Sequence, residues 1–156
     1  LGRRFAIIGT NMPGQYEQLS DQVKEHGLRD RLIPNGIRFE KEPFVESFPK
    51  WMANPQLCAD SVVEIAQGCV EDGADSIVLG CAGSSMFCSM VGCNRIELGH
   101  QTVPIIDSVM VALKTAEMAV DIKNGTGLPI PGRTRNRVLP SADDWNRVRE
   151  SFGLPG

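Results

Sequence analysis

The apolar residues of this chain are concentrated in short continuous runs, separated by segments with helical periodicity. Arg-Phe-Ala-Ile-Ile-Gly at positions 4–9 and Ser-Ile-Val-Leu-Gly at positions 76–80 are two such runs, each closed by a glycine. A third run occupies positions 103–106. Unbroken apolar runs of this length are typical of strands that are buried on both faces of a parallel sheet. The pattern therefore predicts three buried strands.

Two helices are predicted from apolar residues that recur every three or four positions. The first lies within 12–27, behind an N-cap at Asn11. The second lies within 54–73 and carries a longer apolar stripe, which predicts that both of its cysteines belong to the core. The residues of that stripe are Cys58, Val62, Ile65, Ala66 and Cys69.

The remaining segments have weaker patterns. Three prolines interrupt positions 33–49, so one strand is predicted near 37–39 and irregular chain after it. A short helix is predicted from Met86 onward. The third apolar run leads into a long helix that is capped by Asp107 or Ser108.

The end of the chain differs from the rest. The long helix is predicted to stop at Gly125, because glycine is the preferred residue just after a helix. Several prolines and arginines follow, which favours an extended arm over 125–140. A short surface helix is predicted over about 142–151, with Ser141 as its cap.

Alternating strands and helices predict an α/β fold, a parallel sheet flanked by helices on both faces. The length of 156 residues suits one domain. A net charge of −3 gives no reason to expect nucleic acid as a partner. No apolar run approaches the roughly 20 residues that span a bilayer, and no signal peptide opens the chain, so no membrane partner and a cytoplasmic location are expected.

The five cysteines are read as free thiols of a reducing compartment. The spacing of Cys81, Cys88 and Cys93 lacks the closely spaced pairs of a zinc site, so no metal is expected. A redox-sensing thiol is a less favoured hypothesis, because no resolving cysteine is evident in the sequence.

Ligands of open α/β sheets bind beyond the carboxyl ends of the strands, where two turns carry chemistry. One is Gly9-Thr10-Asn11, and the other is the small-residue turn at positions 80–85, which contains Cys81. Backbone N–H groups at such a turn favour negative charge by about 0.3–1 kcal/mol, so they suit a thiolate and also a substrate oxyanion. Alternatively, the turn is small only to allow close helix–sheet packing, and Cys81 is inert.

Three segments resemble the aspartate/glutamate/hydantoin racemase superfamily, with hydantoin racemase as the most similar branch. They are Gly-Ala-Asp-Ser-Ile-Val-Leu-Gly-Cys-Ala-Gly at 73–83, Val-Pro-Ile-Ile-Asp at 103–107, and the opening residues 1–10. The resemblance implies one flavodoxin-like lobe of a pseudo-symmetric two-lobed fold. Residues 1–107 would form the second lobe, 108–124 a crossing helix, and 125–156 the arm and short helix.

The resemblance also implies a cofactor-independent racemase or epimerase with one cysteine from each lobe, acting on a hydantoin or amino-acid derivative. Cys81 matches the second-lobe cysteine, which exchanges the α-proton of the small-molecule substrate. Substrate would contact the residues around it and those of the first turn, namely Thr10, Asn11, Gly80, Ala82, Gly83 and Ser84. A homo-oligomer is expected, and the first lobe, which has no counterpart here, is expected upstream.

Other hypotheses remain open. Members resembling arylmalonate decarboxylase need a single cysteine, and those resembling maleate isomerase add a cysteine to a double bond. A lone lobe that binds a small anion without catalysis is a third hypothesis. The racemase hypothesis predicts an open, one-sided cleft at Cys81 or an apolar surface that awaits a missing lobe or partner chain, whereas a Cys81 sealed in the core would contradict it.

Overall fold

Strands and helices alternate along the chain, as predicted. The computed structural model describes residues 3–128, 141–151 and 153. It divides into two compact units, Leu1–Lys114 and Thr115–Gly156. The elements are β1 (Phe5–Asn11), α1 (Gln15–Glu25), a 3-10 turn (Arg29–Arg31), β2 (Leu32–Pro43), α2 (Phe44–Ala53), α3 (Gln56–Glu71), β3 (Ser76–Leu79), α4 (Ala82–Met90), β4 (Arg95–Leu98), β5 (Gln101–Ile106), α5 (Ser108–Thr126) and α6 (Ala142–Ser151).

The strands form one sheet in the order β2-β1-β3-β5-β4. Neighbours within β2-β1-β3-β5 are parallel, which confirms the predicted sheet, but β4 runs antiparallel to β5. The sequence pattern did not predict β4. Its Arg-Ile-Glu-Leu pattern buries Ile96 and exposes the charged residues, as an edge strand does, and Gly99, with φ of 61°, turns the chain into β5.

The central strand β1 faces two apolar layers. Ala6 and Ile8 belong to the larger core, which includes α3 and β3. Phe5 and Ile7 point to the other face, where they pack with the α1 side chains. Because both faces of β1 are covered, its run of apolar residues is unbroken, and the prediction of helices on both faces is confirmed.

The expectation of irregular chain after position 39 was wrong. The strand β2 continues to Pro43, and α2 follows it directly, with Pro49 inside the helix. Proline removes one helical hydrogen bond, but α2 also buries Trp51 against Phe87 of α4, with ring centroids 5.9 Å apart. Phe48 contacts the same ring at 5.7 Å. Aromatic packing therefore holds a helix that local sequence preferences disfavour.

Two further boundaries differ from the predictions at positions that matter for the site. The first helix begins at Gln15, after Gly14 with φ of 77°, so Asn11 ends β1 and does not cap α1. The helix predicted from Met86 begins at Ala82, directly after Cys81. By contrast, α3 follows its prediction, and both of its cysteines, Cys58 and Cys69, are fully buried.

The second unit contains the predicted short helix, α6. The Ser141 hydroxyl accepts the backbone N–H of Asp144 at 3.1 Å, and the Asp144 carboxylate accepts the backbone N–H of Ser141. This reciprocal capping confirms Ser141 as the cap. The predicted arm over 125–140 lies mostly outside the described residues, since 129–140 are not among them. In the part of the chain that the structure describes, none of the helices is long and apolar enough to cross a bilayer.

Candidate active site

The carboxyl ends of three neighbouring strands meet at one edge of the sheet. Gly9 of β1 pairs with Phe39 of β2, and Ile8 pairs with Leu79 of β3. The N–H group of Gly80 donates to the carbonyl of Ile8 at 2.8 Å, which extends this alignment one residue past β3. The residues just beyond these pairs are therefore brought together at the edge where open α/β sheets bind ligands.

Cys81 lies at this edge, between β3 and α4. Its backbone is extended, with φ of −132° and ψ of 131°, and its carbonyl accepts the N–H group of Ser85 at 3.0 Å. Cys81 is therefore the N-cap residue of α4. It is partly exposed, whereas Cys58, Cys69 and Cys88 are buried. The thiol is thus not sealed in the core, which is the outcome that would have contradicted the racemase hypothesis.

The predicted small-residue turn is the first turn of α4. Because the first intrahelical bond is made by Ser85, the preceding N–H groups of Ala82, Gly83 and Ser84 have no partner within the helix. Three amides therefore remain for an anion at this helix start. The positive end of the helix dipole lies at the same place.

Gly83 lies beside the Cys81 thiol. A Cβ atom at Gly83 would lie 3.6 Å from Cys81 Sγ and 3.5 Å from Phe44 Cε2. The thiol, the start of α2 and the first turn of α4 are therefore close to one another. Gly80 is different, because a Cβ there would lie 2.9 Å from Ile7 Cγ2. A side chain at Gly80 would overlap the core, whereas one at Gly83 would make ordinary contacts with the thiol and with Phe44.

Ser84 connects this first turn to a buried carboxyl group. Its side chain is buried, and its hydroxyl donates to Glu40 Oε1 at 3.3 Å. Glu40 lies on β2 and is only 3% exposed. Among the residues that the structure describes, its second oxygen, Oε2, is buried without a hydrogen-bond partner. A buried carboxyl group with one unpaired oxygen is costly in its ionised form.

Burial raises the pKa of Glu40 to about 7, although the Ser84 hydrogen bond acts in the opposite direction. Near neutral pH the group is therefore divided between its acid and carboxylate forms. Burial favours the protonated form of Glu40, because that form carries no charge to be removed from water. Strongly shifted carboxyl groups next to a cleft are common at functional sites.

A cavity of about 290 Å³ adjoins Glu40. Two ion pairs involve residues that line it: Lys50 Nζ lies 2.7 Å from Glu42 Oε2, and Lys41 Nζ lies 2.5 Å from Glu64 Oε1. Its wall also contains the buried Trp51 ring. The other lining residues are Ser47, Leu57 and Ser61.

The two predicted residues of the first turn have different surroundings. Thr10 is fully buried, and its hydroxyl donates to Gln15 Oε1 at 3.4 Å. Asn11 is exposed, and its side-chain amide donates to the carbonyl of Lys41 at 3.3 Å. Asn11 thus joins β1 to β2 at the rim of the site, while the Thr10 side chain lies beneath it.

Asp107 begins the last long helix, as one of the two predicted caps. Its Oδ1 atom accepts the N–H groups of Val109 at 2.9 Å and Met110 at 3.0 Å, and Oδ2 accepts the Ser89 hydroxyl at 2.5 Å. Burial acts to raise the pKa of Asp107, but these hydrogen bonds outweigh it and lower the pKa. The carboxylate thus ties α5 to α4.

A groove of about 420 Å³ runs between α4 and the start of α5. It begins at Ala82, next to Cys81, and its wall is mainly apolar, with Ser89 and Asp107 as polar members. The remaining lining residues are Met86, Met90, Val109 and Met110. An apolar groove thus adjoins the residue that follows Cys81. In the described ranges 3–128, 141–151 and 153, no group of three or more acidic, histidine or cysteine side chains is arranged to hold a metal ion.

A family model described as Asp/Glu/Hydantoin racemase matches residues 1–116 of this chain. The chain belongs to the Asp/Glu/hydantoin racemase family. This racemase-family chain is 28% identical over 159 residues to hydantoin racemase of Pseudomonas sp. (strain NS671), a match that covers 98% of the chain and 55% of the relative. It is 34% identical over 119 residues to hydantoin racemase of Rhizobium meliloti, covering 75% of the chain and 44% of the relative.

Solved structures confirm the fold of this racemase-family chain. Allantoin racemase from Klebsiella pneumoniae superposes with a TM-score of 0.58 at 20% identity, covering 92% of this chain and 54% of that one. Allantoin racemase from Pseudomonas fluorescens superposes with a TM-score of 0.56 at 22% identity, covering 90% of this chain and 53% of that one. The chain therefore spans about half the length of the curated relatives and solved structures that it matches.

Sequence reasoning missed Glu40 and α2 in this racemase-family chain. Glu40 follows Phe39, the partner of Gly9 on β1, so the rule that selected Thr10 and Cys81 also applies to it. The signal was hidden because Pro34 and Pro43 made β2 read as a short strand followed by irregular chain.

Proposed function

We propose that this chain supplies the Cys81 half of a cofactor-independent racemase site whose substrate is a hydantoin or a related amino-acid derivative. One observation carries the proposal. A partly exposed thiol caps a helix at the carboxyl edge of the sheet, in a chain of the hydantoin racemase family. The substrate class follows from the curated relatives, which are hydantoin racemases.

In the proposed reaction, the Cys81 thiolate removes the proton from the α-carbon of the substrate. The S–H bond forms as the C–H bond breaks, and the electron pair of that bond moves into the adjacent carbonyl, which becomes an enolate. The same thiol returns its proton when the opposite enantiomer reacts. Proton transfer by a positioned side chain of this kind contributes a rate factor of about 10²–10⁴.

The enolate oxygen is bound by the first-turn amides of α4. The N–H groups of Ala82, Gly83 and Ser84 have no partner within the helix and lie at the positive end of its dipole. Donors arranged in advance around the developing charge stabilise it without reorganisation, and one such donor is worth roughly 10²–10³ in rate. No cofactor is needed in this scheme, because the carbonyl of the substrate accepts the electron pair.

Glu40 acts in this scheme as a positioning residue. It is buried beneath the first turn and holds Ser84 through the 3.3 Å hydrogen bond, so that the amide of Ser84 stays directed at the site. Asn11 is the exposed member of the neighbouring strand end and is proposed to contact substrate directly. Thr10, whose side chain is buried, would contact it through its backbone.

Racemisation also requires a proton donor on the opposite face of the α-carbon. Cys88 and Cys93 cannot act as this donor. Cys88 is buried seven residues along the chain from Cys81, about 10 Å away along the axis of α4, and Cys93 follows the far end of that helix. We propose that the opposing group belongs to a first lobe outside residues 1–156. The match of this chain to about half of each relative supports that division.

The test is Cys81→Ser in the enzyme that contains this chain together with its first lobe. Each enantiomer of a 5-substituted hydantoin is incubated in deuterium oxide, and exchange at the α-carbon is followed by NMR. Exchange should fall by about 10²–10⁴ for the enantiomer that Cys81 deprotonates. Cys69→Ser, a buried cysteine of α3, is the control that should exchange normally. Normal exchange of both enantiomers in Cys81→Ser would disprove the assignment.

A single thiol at this edge also suits decarboxylation, because protonating an enediolate needs one donor. The described residues place only one partly exposed cysteine, Cys81, at the carboxyl edge of the sheet. An arylmalonate substrate distinguishes the two reactions. Release of carbon dioxide without racemisation of the hydantoin would favour the decarboxylase.

The further proposal of a cytoplasmic homo-oligomer is tested by fractionating cells and by measuring the mass of the purified protein with light scattering.

A further inference from the structure

Three of the five cysteines lie together at the far end of α4. Cys58 comes from α3, and Cys88 lies near the end of α4. Cys93 is the third residue after that helix. Cys58 and Cys88 are both buried in the larger core, and the partly exposed Cys93 packs against that core. All three are free thiols. The cluster does not involve Cys81, so its chemistry is independent of the proposed racemase reaction.

The turn after α4 brings two of these thiols into contact. The N–H group of Cys93 donates to the carbonyl of Cys88 at 2.9 Å, and that of Gly92 donates to Ser89 at 3.2 Å. Gly92 has φ of 72°, in the left-handed region. This is a Schellman motif, in which side chains at the first and sixth positions commonly touch. Contact between Cys88 and Cys93 is therefore a consequence of how α4 ends.

The two thiols differ in access and in acidity. Cys93 is partly exposed, whereas Cys88 is 1% exposed. The hydrogen bond from Cys88 lowers the pKa of Cys93 to about 7, although burial and the carboxylate of Asp60 act to raise it. Hydrogen bonding with Cys58 and Cys93, together with burial, raises the pKa of Cys88. Near neutral pH the accessible thiol is the one that ionises, as a reactive cysteine requires.

We propose that Cys93 and Cys88 form an oxidation site, at which a hydroperoxide converts the two thiols to a disulfide. Partial exposure selects Cys93 as the attacking thiol, and the Schellman contact places Cys88 as the resolving thiol. The fully buried Cys58 retains its thiol. No resolving cysteine was evident in the sequence, but the turn brings together two cysteines that lie five positions apart.

The reaction takes two steps. The Cys93 thiolate attacks one peroxide oxygen, so that an S–O bond forms, the O–O bond breaks, and the leaving oxygen takes a proton to become an alcohol, or water from hydrogen peroxide. The product is a sulfenic acid. The Cys88 sulfur then attacks the Cys93 sulfur. An S–S bond forms, the S–O bond breaks, and the hydroxyl leaves as water with the Cys88 proton. Two electrons pass from the thiols to the peroxide.

The first experiment counts thiols after brief treatment with one equivalent of hydrogen peroxide. It uses the Cys81→Ser chain, so that the thiol of the active site does not react. We expect two thiols to be lost together, with Cys93→Ser slowing the loss by at least about tenfold. Cys69→Ser is the matched control and should leave the loss unchanged, because Cys69 is buried in another part of α3. Equal rates with and without Cys93 would overturn the proposal.

The second experiment identifies the bond without any variant of the cluster. Diamide oxidises thiols and spares methionine, so cyanogen bromide still cleaves the treated chain after every methionine. Met86 and Met90 flank Cys88, which leaves Cys58, Cys88 and Cys93 in three different fragments. We expect fragment 87–90 to be joined to fragment 91–110 by a bond that reductant breaks. A link from 87–90 to the Cys58 fragment 53–86, or no link, would overturn the pairing.

Discussion

The hydroxyl of Ser84, in the first turn of α4, donates a 3.3 Å hydrogen bond to the buried carboxyl group of Glu40 on β2. This contact joins the helix start that follows Cys81 to a residue of β2 that lies 44 positions earlier in the chain. It fixes one of the three first-turn amides through a group that ionises near neutral pH. The proposed anion site therefore depends on a residue that does not line it.

Glu40→Gln should remove a pH dependence of stability. Burial raises the pKa of Glu40 from its ordinary 4.5 to about 7, against the opposing hydrogen bond of Ser84. Between these values the folded chain keeps a proton that the unfolded chain releases, so the free energy of unfolding falls as pH rises, by about 3 kcal/mol. Glutamine does not titrate in either state. Urea unfolding at several pH values across this window measures the change.

The control for this prediction is Glu46→Gln. Glu46 is an exposed residue in the first turn of α2, so its replacement should leave the decline intact. If Glu40→Gln and the unmodified chain show the same slope between pH 4.5 and about 7, Glu40 is not the group responsible.

Ser84→Ala should destabilise the chain and shift the titration of Glu40. It leaves Glu40 Oε1 buried without its hydroxyl donor, which costs about 1–3 kcal/mol. Because the Ser84 hydrogen bond lowers the pKa of Glu40, its loss should raise that pKa further. Carbon-13 NMR of the glutamate carboxyl groups follows the titration directly. Ser20→Ala in α1 serves as the comparison, and an unshifted Glu40 signal in Ser84→Ala would contradict the contact.

Gly83→Ala and Gly80→Ala should separate activity from stability. A Cβ at Gly83 meets Cys81 Sγ at 3.6 Å, an ordinary contact, and alanine is favoured over glycine inside a helix by about 1 kcal/mol. We therefore expect an unchanged or higher melting temperature, with exchange activity reduced at least about tenfold because the methyl group fills the space beside the thiol. Full activity in Gly83→Ala would show that substrate approaches from elsewhere.

Gly80→Ala should have the opposite profile. A Cβ there would lie 2.9 Å from Ile7 Cγ2 and 3.3 Å from Leu19 Cδ2, inside the core of the first unit. Overpacking of this kind costs about 1–3 kcal/mol. Chemical unfolding of the two alanine variants in parallel makes the comparison, and a Gly80→Ala chain as stable as Gly83→Ala would be inconsistent with the close packing between β1 and α1.

Asp107→Ala should weaken the start of α5 by about 0.5–2 kcal/mol, because the N–H groups of Val109 and Met110 lose their acceptor. Asp107→Asn keeps an acceptor but not the charge, so at neutral pH it should lose less stability than Asp107→Ala. Burial opposes the shift, but hydrogen bonds lower the pKa of Asp107 below its ordinary 3.8. Its contribution is therefore complete above that value and is lost as the pH falls through the lower, folded-state pKa.

Thermal unfolding at neutral and strongly acidic pH tests the prediction. The unmodified chain should lose the advantage over Asp107→Asn only in acid. A gap between the two that stays constant with pH would rule out an ionised cap.

The sequence by itself determined the strands β1 and β3, the helix α3 with its buried cysteines, the family, and Cys81 as the candidate thiol. These features are local. Each can be recognised without knowing what packs against it: an apolar run between glycines, an apolar stripe at helical spacing, and a short motif around one cysteine. The helix cap at Ser141 can be predicted for the same reason, since its partner Asp144 lies three residues away.

Only the tertiary structure decided the surroundings of Glu40, the existence of α2, and the packing of Cys58 of α3 in the same core as Cys88 of α4. Glu40 is an ordinary strand residue until Ser84 meets it across the sheet edge, and α2 contains a proline that only the packing of Trp51 on Phe87 outweighs. Sequence patterns depend only on residues that are neighbours along the chain. Burial, pKa shifts and thiol contacts are instead set by neighbours in space, which come from segments that the chain brings together only when it folds.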